Sequence, residues 1–138
     1  MAFFGSLDIV GSALTAERLR HEVVLQNMSN AKSINENGEP YRRKQVVFRE
    51  RPLNFSEELN KARGGVRVDE VIDSQRDFKR VYDPSNPQAD ENGYVMYPNV
   101  DMAEEMTDLM VSANSYEANL TALSVAKAII NKTLDMNK

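Results

Sequence analysis

The chain has no cysteine, no tryptophan and a single histidine. Without cysteine there is neither a disulfide framework nor a thiolate metal site, and redox chemistry says nothing about compartment. No stretch approaches the ~20 consecutive apolar residues that span a bilayer, so no membrane span is expected. The N-terminus also lacks the features of a cleaved secretory signal. Its first basic residue is Arg18, and the apolar stretch before it is broken by Gly5, Ser6, Asp8, Gly11 and Ser12. Net charge is only -4. Residues 1–33 hold three acids and three bases, 34–99 twelve and eleven, and 100–138 six and three. No segment has the basic excess of a phosphate-binding surface, which argues against nucleic acid as a partner.

Catalytic chemistry is equally thin. His21 lies one helical turn after Glu17 and has no second histidine to complete an HExxH zinc site. Glycine-rich phosphate loops of the GxGxxG or GxxxxGK[ST] kind are absent. Ser12, Ser29 and Ser112 have no base at triad-like spacing. The acidic stretch Asp83–Tyr94 fails as an EF-hand. With Gly93 at the turn position, the first and last ligands would be Gln88 and Asn99, and both required carboxylates are missing. The expectation is therefore a non-enzyme with no cofactor, no metal and no small-molecule substrate.

What the 138 residues do contain is periodicity. Hydrophobic content of 41% and a mean hydropathy of -0.52 fit one domain with a modest core. Residues ~5–30 read as a helix carrying Leu7, Val10, Leu14, Leu19, Val23, Val24 and Met28, stopped by Asn35, Asn37, Gly38 and Pro40. Tyr41–Phe48 and Val66–Ile72 are rich in β-branched and aromatic residues and predict strands, with Phe78–Tyr82 a shorter third. Ser56–Arg63 fits one short helical turn, and Asp83–Tyr94 reads as a turn-rich loop. From Met102, alternate steps of four and three give Met106, Leu109, Ala113, Tyr116, Leu120, Leu123, Lys127, Ile130 and Leu134. Only Lys127 interrupts this apolar series, and a 3.5-residue repeat sustained that long is the mark of a coiled-coil seam. Asp101 with Glu104 three residues on resembles a capping box that starts the helix. At ~1.5 Å per residue it runs to roughly 50 Å.

The expected fold is thus mainly α with a small β-containing insert, its long N- and C-terminal helices packed as a coiled coil. Residues 1–34 and 100–138 form the helical core, 35–99 the outward insert, and the whole is one structural domain. A single helix pair would leave Ala103, Met110, Ala122, Val125, Ala126 and Ile129 on a second face of the C-terminal helix. Either further helices cover that face, as in an assembly, or the chain is a self-contained helical hairpin. Three polar features stand out. Asn27 and Asn30 lie on one helix face near its end, placed to satisfy terminal carbonyls or reach a neighbouring backbone. Tyr116 and Asn119 repeat that spacing in the C-terminal helix, and an Asn in an apolar seam fixes register at a cost in stability. Arg42, Arg43 and Lys44 form the one basic cluster, read either as an exposed strand among nearby acids or as an outward contact to an acidic neighbour or cell-wall polymer.

These residues resemble a known family. Leu7-Asp8-Ile9 and Gly11–Arg18, Asn27-Met28-Ser29-Asn30-Ala31, Pro40–Phe48 and Val81-Tyr82-Asp83-Pro84 are similar to the flagellar axial proteins of the rod and hook. So are Gly93-Tyr94-Val95, Pro98-Asn99-Val100, Glu105-Met106, Ser115–Asn119 and Lys132–Asp135. Ser29 stands where that family usually has Ala. The resemblance implies a structural subunit of the basal-body proximal rod, exported unfolded through the flagellar type III apparatus. Such a protein polymerises with itself and other rod proteins around the export channel, in the periplasmic or cell-wall zone. The expected packing residues are Leu7, Leu14, Leu19, Val23, Asn27 and Asn30 against Met106, Leu109, Tyr116, Asn119, Leu120, Leu123, Ile130 and Leu134. The rival reading is a cytoplasmic helical adaptor or export chaperone using the same seam for a client.

Overall fold

The computed structural model describes residues 2–35, 37–51 and 64–136. Helix α1 (Ala2–Ser29) is followed by strands β1 (Lys44–Glu50), β2 (Val66–Asp73), β3 (Lys79–Tyr82) and β4 (Tyr94–Tyr97), and by helix α2 (Met102–Asp135). The fold is mixed α/β with the two helices dominant. The helical turn expected at Ser56–Arg63 lies outside the described residues.

Each element starts and stops for a local reason. At the end of α1 the Asn30 side chain donates back to the Gln26 carbonyl at 2.9 Å, doubling the bond from its own backbone N–H at 3.1 Å. β1 begins at Lys44 and not at Tyr41, because the preceding backbone is engaged elsewhere. The Tyr41 N–H donates to the Ser33 carbonyl, and the Arg43 N–H to Asn99 Oδ1 at 2.7 Å. β1 and β2 form one antiparallel hairpin, with a register shift between Val47 and Phe48. β3, at the strand expected over Phe78–Tyr82, pairs with β4 as a second antiparallel hairpin; β4 is a strand that the sequence pattern does not predict. Its connection is organised by Asp90, whose Oδ1 accepts from the backbone of Asn92 at 2.8 Å and of Tyr94 at 2.9 Å. Gly93 closes the turn at φ +76, where a Cβ would lie 2.9 Å from Tyr82 Cε2. α2 is capped by Asp101, whose carboxylate accepts from the Ala103 N–H at 2.9 Å. The return arm of a capping box is missing, since Glu104 turns its carboxylate to Arg76 instead.

α1 is the organising element. It packs on α2 and also on both strands of the β1–β2 hairpin. Ser12 ties that hairpin down, accepting from the Val66 N–H at 3.1 Å while donating to the Ile9 carbonyl at 2.7 Å. Asn27 meets Glu105, and His21 meets Ser112. Going back along α1 therefore matches going forward along α2, and the helices run antiparallel.

Among the described residues, the buried apolar ones are Ala16, Val23, Val24, Val95, Pro98 and Val100, whereas Asn27, Arg43, Ser74, Asn99, Glu105 and Ser112 are buried polar groups. A fully buried large apolar side chain contributes about 1.5–3 kcal/mol, and fixing backbone costs about 1–2 kcal/mol per residue.

Candidate functional site

The face of α2 turned to α1 carries Glu105 and Ser112, its two buried residues, and both are polar. Met102, Met106, Met110, Leu120, Val125, Ile129 and Leu134 are all exposed, with Met110 at 67%. Leu109, Leu123 and Ile130 lie on the same side as Glu105 and Ser112 and are half-buried, so the apolar residues of α2 are divided between the side toward α1 and the side toward solvent.

The residues expected to pack between helices divide along this line. On α1, Leu7, Leu14, Leu19 and Asn30 are half-buried, while Val23 and Asn27 are buried. On α2, Leu109, Asn119, Leu123 and Ile130 are half-buried, while Met106, Tyr116, Leu120 and Leu134 are exposed. Glu105 and Ser112, one heptad apart, mark the side of α2 that α1 covers, and both lie beside the apolar series.

Where α1, the start of β1 and the start of α2 converge, polar side chains form a continuous network. Asn27 is 1% exposed, and all four of its hydrogen-bonding positions are filled. Its amide nitrogen donates to the Lys44 carbonyl at 2.9 Å and to Glu105 Oε2 at 3.0 Å. Its oxygen accepts from the Lys44 N–H and the Tyr41 hydroxyl, each at 2.9 Å. Glu105, at 0% exposure, receives the Arg43 Nε–H on its other oxygen. Arg43 also donates to Asp108 Oδ2 at 2.9 Å, and Asp108 Oδ1 lies 3.5 Å from Arg20. The path from Arg20 through Asp108, Arg43 and Glu105 to Asn27 begins and ends on α1. Beside it opens a cleft of about 360 Å³, lined among others by Val23, Val24, Val46 and Phe48.

The basic cluster divides accordingly. Arg43, at 4% exposure, faces inward and is committed to carboxylates, which removes it from any outward contact. Arg42 stacks over the Phe78 ring at 4.4 Å and donates to the Ser74 carbonyl, while Lys44 is half-buried.

Electrostatics follow the geometry. The Arg76 hydrogen bond at 2.6 Å holds the Glu104 carboxyl below its ordinary value, with Arg43 and Arg76 charges adding to it. Burial, then the charges of Asp73 and Glu105, push the Tyr41 phenol up. Backbone N–H groups at the start of α2, that of Ala103 first, hold Asp101 down. His21 accepts from or donates to Ser112 Oγ at 3.0 Å through Nδ1. Its side chain thus joins the two helices. Among the described residues no group of three or more His, Asp or Glu is placed to hold a metal, and no helix is long and apolar enough to cross a membrane.

Sequence reasoning missed Glu105, Asn99 and Ser74 as structural residues. Asn99 accepts from the Arg43 N–H and donates to the Arg76 carbonyl at 2.8 Å, pinning the entry to α2 against the insert. For Glu105 and Asn99 the signal at the sequence level was their place in the motifs that carried the family resemblance; Ser74 lies in none of those motifs.

Comparison with known proteins agrees with this frame from end to end. The flagellar basal-body rod protein FlgC of Bacillus subtilis is 42% identical over 150 aligned positions, covering 100% of both chains. Its counterpart in Salmonella typhimurium is 44% identical over 139 positions, again with 100% of both covered. The chain belongs to the FlgC family of flagellar basal-body rod proteins. The Aquifex aeolicus FlgC is 37% identical, with 98% of this chain and 97% of that one covered. The family described as "Flagellar basal body rod FlgEFG protein C-terminal" matches residues 91–136, which take in β4 and all of α2. Membership makes this a structural rod component of the flagellar basal body and not an enzyme. The adaptor or export-chaperone alternative has no support among these relatives.

Proposed function

We propose that the chain is a subunit of the proximal rod that polymerises through its terminal helices. The observation carrying this reading is the set of exposed apolar residues along α2, Met102, Met106, Met110, Leu120, Val125 and Ile129. Large exposed apolar patches mark interaction surfaces, and a stripe with a 3.5-residue repeat suits another helix. Helices of further copies and of other rod proteins cover Met106, Tyr116, Leu120 and Leu134, and extend the contacts of Leu109, Asn119, Leu123 and Ile130. On the α1 side Leu7, Leu14 and Leu19 join the same coiled-coil core, behind Val23, Asn27 and Asn30. Residues 1–34 and 100–138 then form the inner wall around the export channel, and the insert 35–99 lies outward. There the half-buried Arg42 and Lys44 would meet an acidic neighbour or cell-wall polymer. The protein reaches this periplasmic or cell-wall zone through the flagellar type III apparatus.

The test is Leu120→Asp. Leu120 is 43% exposed, so a carboxylate there stays hydrated in the single chain. In the assembly it becomes an unpaired buried charge. The variant is expected to fold, yet to leave a strain lacking the gene non-motile in soft agar. Cryo-electron tomography should find basal bodies arrested at the membrane ring. Normal swimming on Leu120→Asp would sink the proposed seam.

A further inference from the structure

We infer that Asn27, Glu105 and Arg43 are positioning residues that set the register of α2 on α1. The apolar series of α2 repeats every 3.5 residues, so after a slide of seven residues, about 10 Å, it presents nearly the same stripe. Such a seam does not specify axial position, and a buried polar group in it does.

The network on the page has the features of such a device. Asn27 engages both backbone groups of Lys44, the Tyr41 hydroxyl and Glu105, a pattern that needs two donors and two acceptor sites at once. Neither Asp nor Leu can supply it. Glu105 joins Asn27 on α1 to Arg43 at the foot of β1, and Asp108 joins Arg43 back to Arg20 on α1. α2 is therefore gripped from two directions at one height. A slide of one heptad would bring Ser112 to the place of Glu105, leaving the Arg43 guanidinium, 4% exposed, without the carboxylate it is buried against. The wrong register is penalised as strongly as the right one is favoured. Buried ionic groups are often neutral or unfavourable for stability compared with apolar replacements. This role is accordingly one of uniqueness and not of strength.

The inference leans on the proposed assembly only for why register matters; its test is read on single chains. The cysteine-free sequence permits two reporter pairs. His21→Cys with Ser112→Cys marks the native register, since those side chains touch at 3.0 Å. His21→Cys with Asn119→Cys marks a slip of one heptad. With the network intact, oxidation of dilute protein is expected to close the 21–112 disulfide and leave 21–119 open. In the background Asn27→Leu, Arg43→Met, Glu105→Leu, the intramolecular 21–119 product should rise at least tenfold while helicity is retained. A folded triple variant that closes only 21–112 overturns the inference.

If the triple variant does not fold, Asn27→Asp decides. It sets a carboxylate against Glu105, among Arg20 on α1, Tyr41, Arg43 and Lys44 before and in β1, and Glu104 and Asp108 on α2. Protonation of one of the facing carboxylates should then restore the native register at low pH. The ratio of 21–119 to 21–112 product, in which thiol ionisation cancels, should fall as pH falls; a ratio independent of pH overturns the inference. Because no polymer is formed, these outcomes are separate from the motility result on Leu120→Asp.

Discussion

Arg43→Met removes the cation at the centre of the buried network while keeping most of its volume. Glu105, at 0% exposure, then retains one donor, the Asn27 amide at 3.0 Å. Three carboxylates, Glu104, Glu105 and Asp108, are left facing one another's charge with Arg20 and Arg76 at the margins. Breaking a buried ion pair by removing one partner costs about 3–5 kcal/mol. The lower end applies here, because the adjoining cleft of about 360 Å³ gives water a route to the stranded carboxylate. Unfolding entropy of ~2.1 cal/mol/K per residue over a chain of this size converts 3 kcal/mol into a loss of roughly 10 °C in Tm. Thermal unfolding of purified protein at neutral pH, followed by circular dichroism, measures it directly. A variant within about 1 kcal/mol of the natural protein would refute the reasoning, since it would mean that the guanidinium does not neutralise a truly desolvated charge.

Gly93→Ala forces a Cβ to 2.9 Å from Tyr82 Cε2 at a backbone φ of +76. It should cost about 1–2 kcal/mol and speed hydrogen exchange in Tyr94–Tyr97 while leaving α2 protected. Asp101→Ala removes the cap on the Ala103 N–H, and should fray the first turn of α2 in amide exchange without altering its far end. Acid should destabilise the protein through Glu104. Its folded pKa is depressed below the ordinary 4.5 by Arg76, so its stabilisation is fully present above that value. It is lost as pH falls through the folded pKa. Arg76→Met should flatten this acid limb of the Tm–pH curve, and an unchanged slope would count against the pair.

Both helices sit where the apolar periodicity places them, since a pattern sustained over seven or more turns outweighs local noise. What periodicity could not convey was which residues on the side of α2 toward α1 are buried outright. Polar residues carry no weight in an apolar count, and the two buried positions are Glu105 and Ser112. Arg43 was opaque for a related reason. Three consecutive basic residues read as solvated charge, and only the convergence of residues 27, 99, 105 and 108 on that position turns one of them inward. β4 was missed because four residues, Tyr94–Tyr97, give too short a window after the Asn92-Gly93 turn. The family resemblance, in contrast, was legible along almost the whole chain, because it rests on residue identity and not on packing.

The antiparallel pairing has a practical consequence for labelling. Continuing the match of Asn27 with Glu105 brings the start of α1 beside the last turns of α2, at the pole opposite the network. A fluorescent or affinity tag on either terminus would crowd the same end of the helix pair. The β3–β4 hairpin, with its tip around Ser85–Glu91, leads into α2 at its other end. Most of its residues are exposed. A short epitope inserted there leaves both helices unencumbered, making that loop the place to mark the protein inside a working organelle.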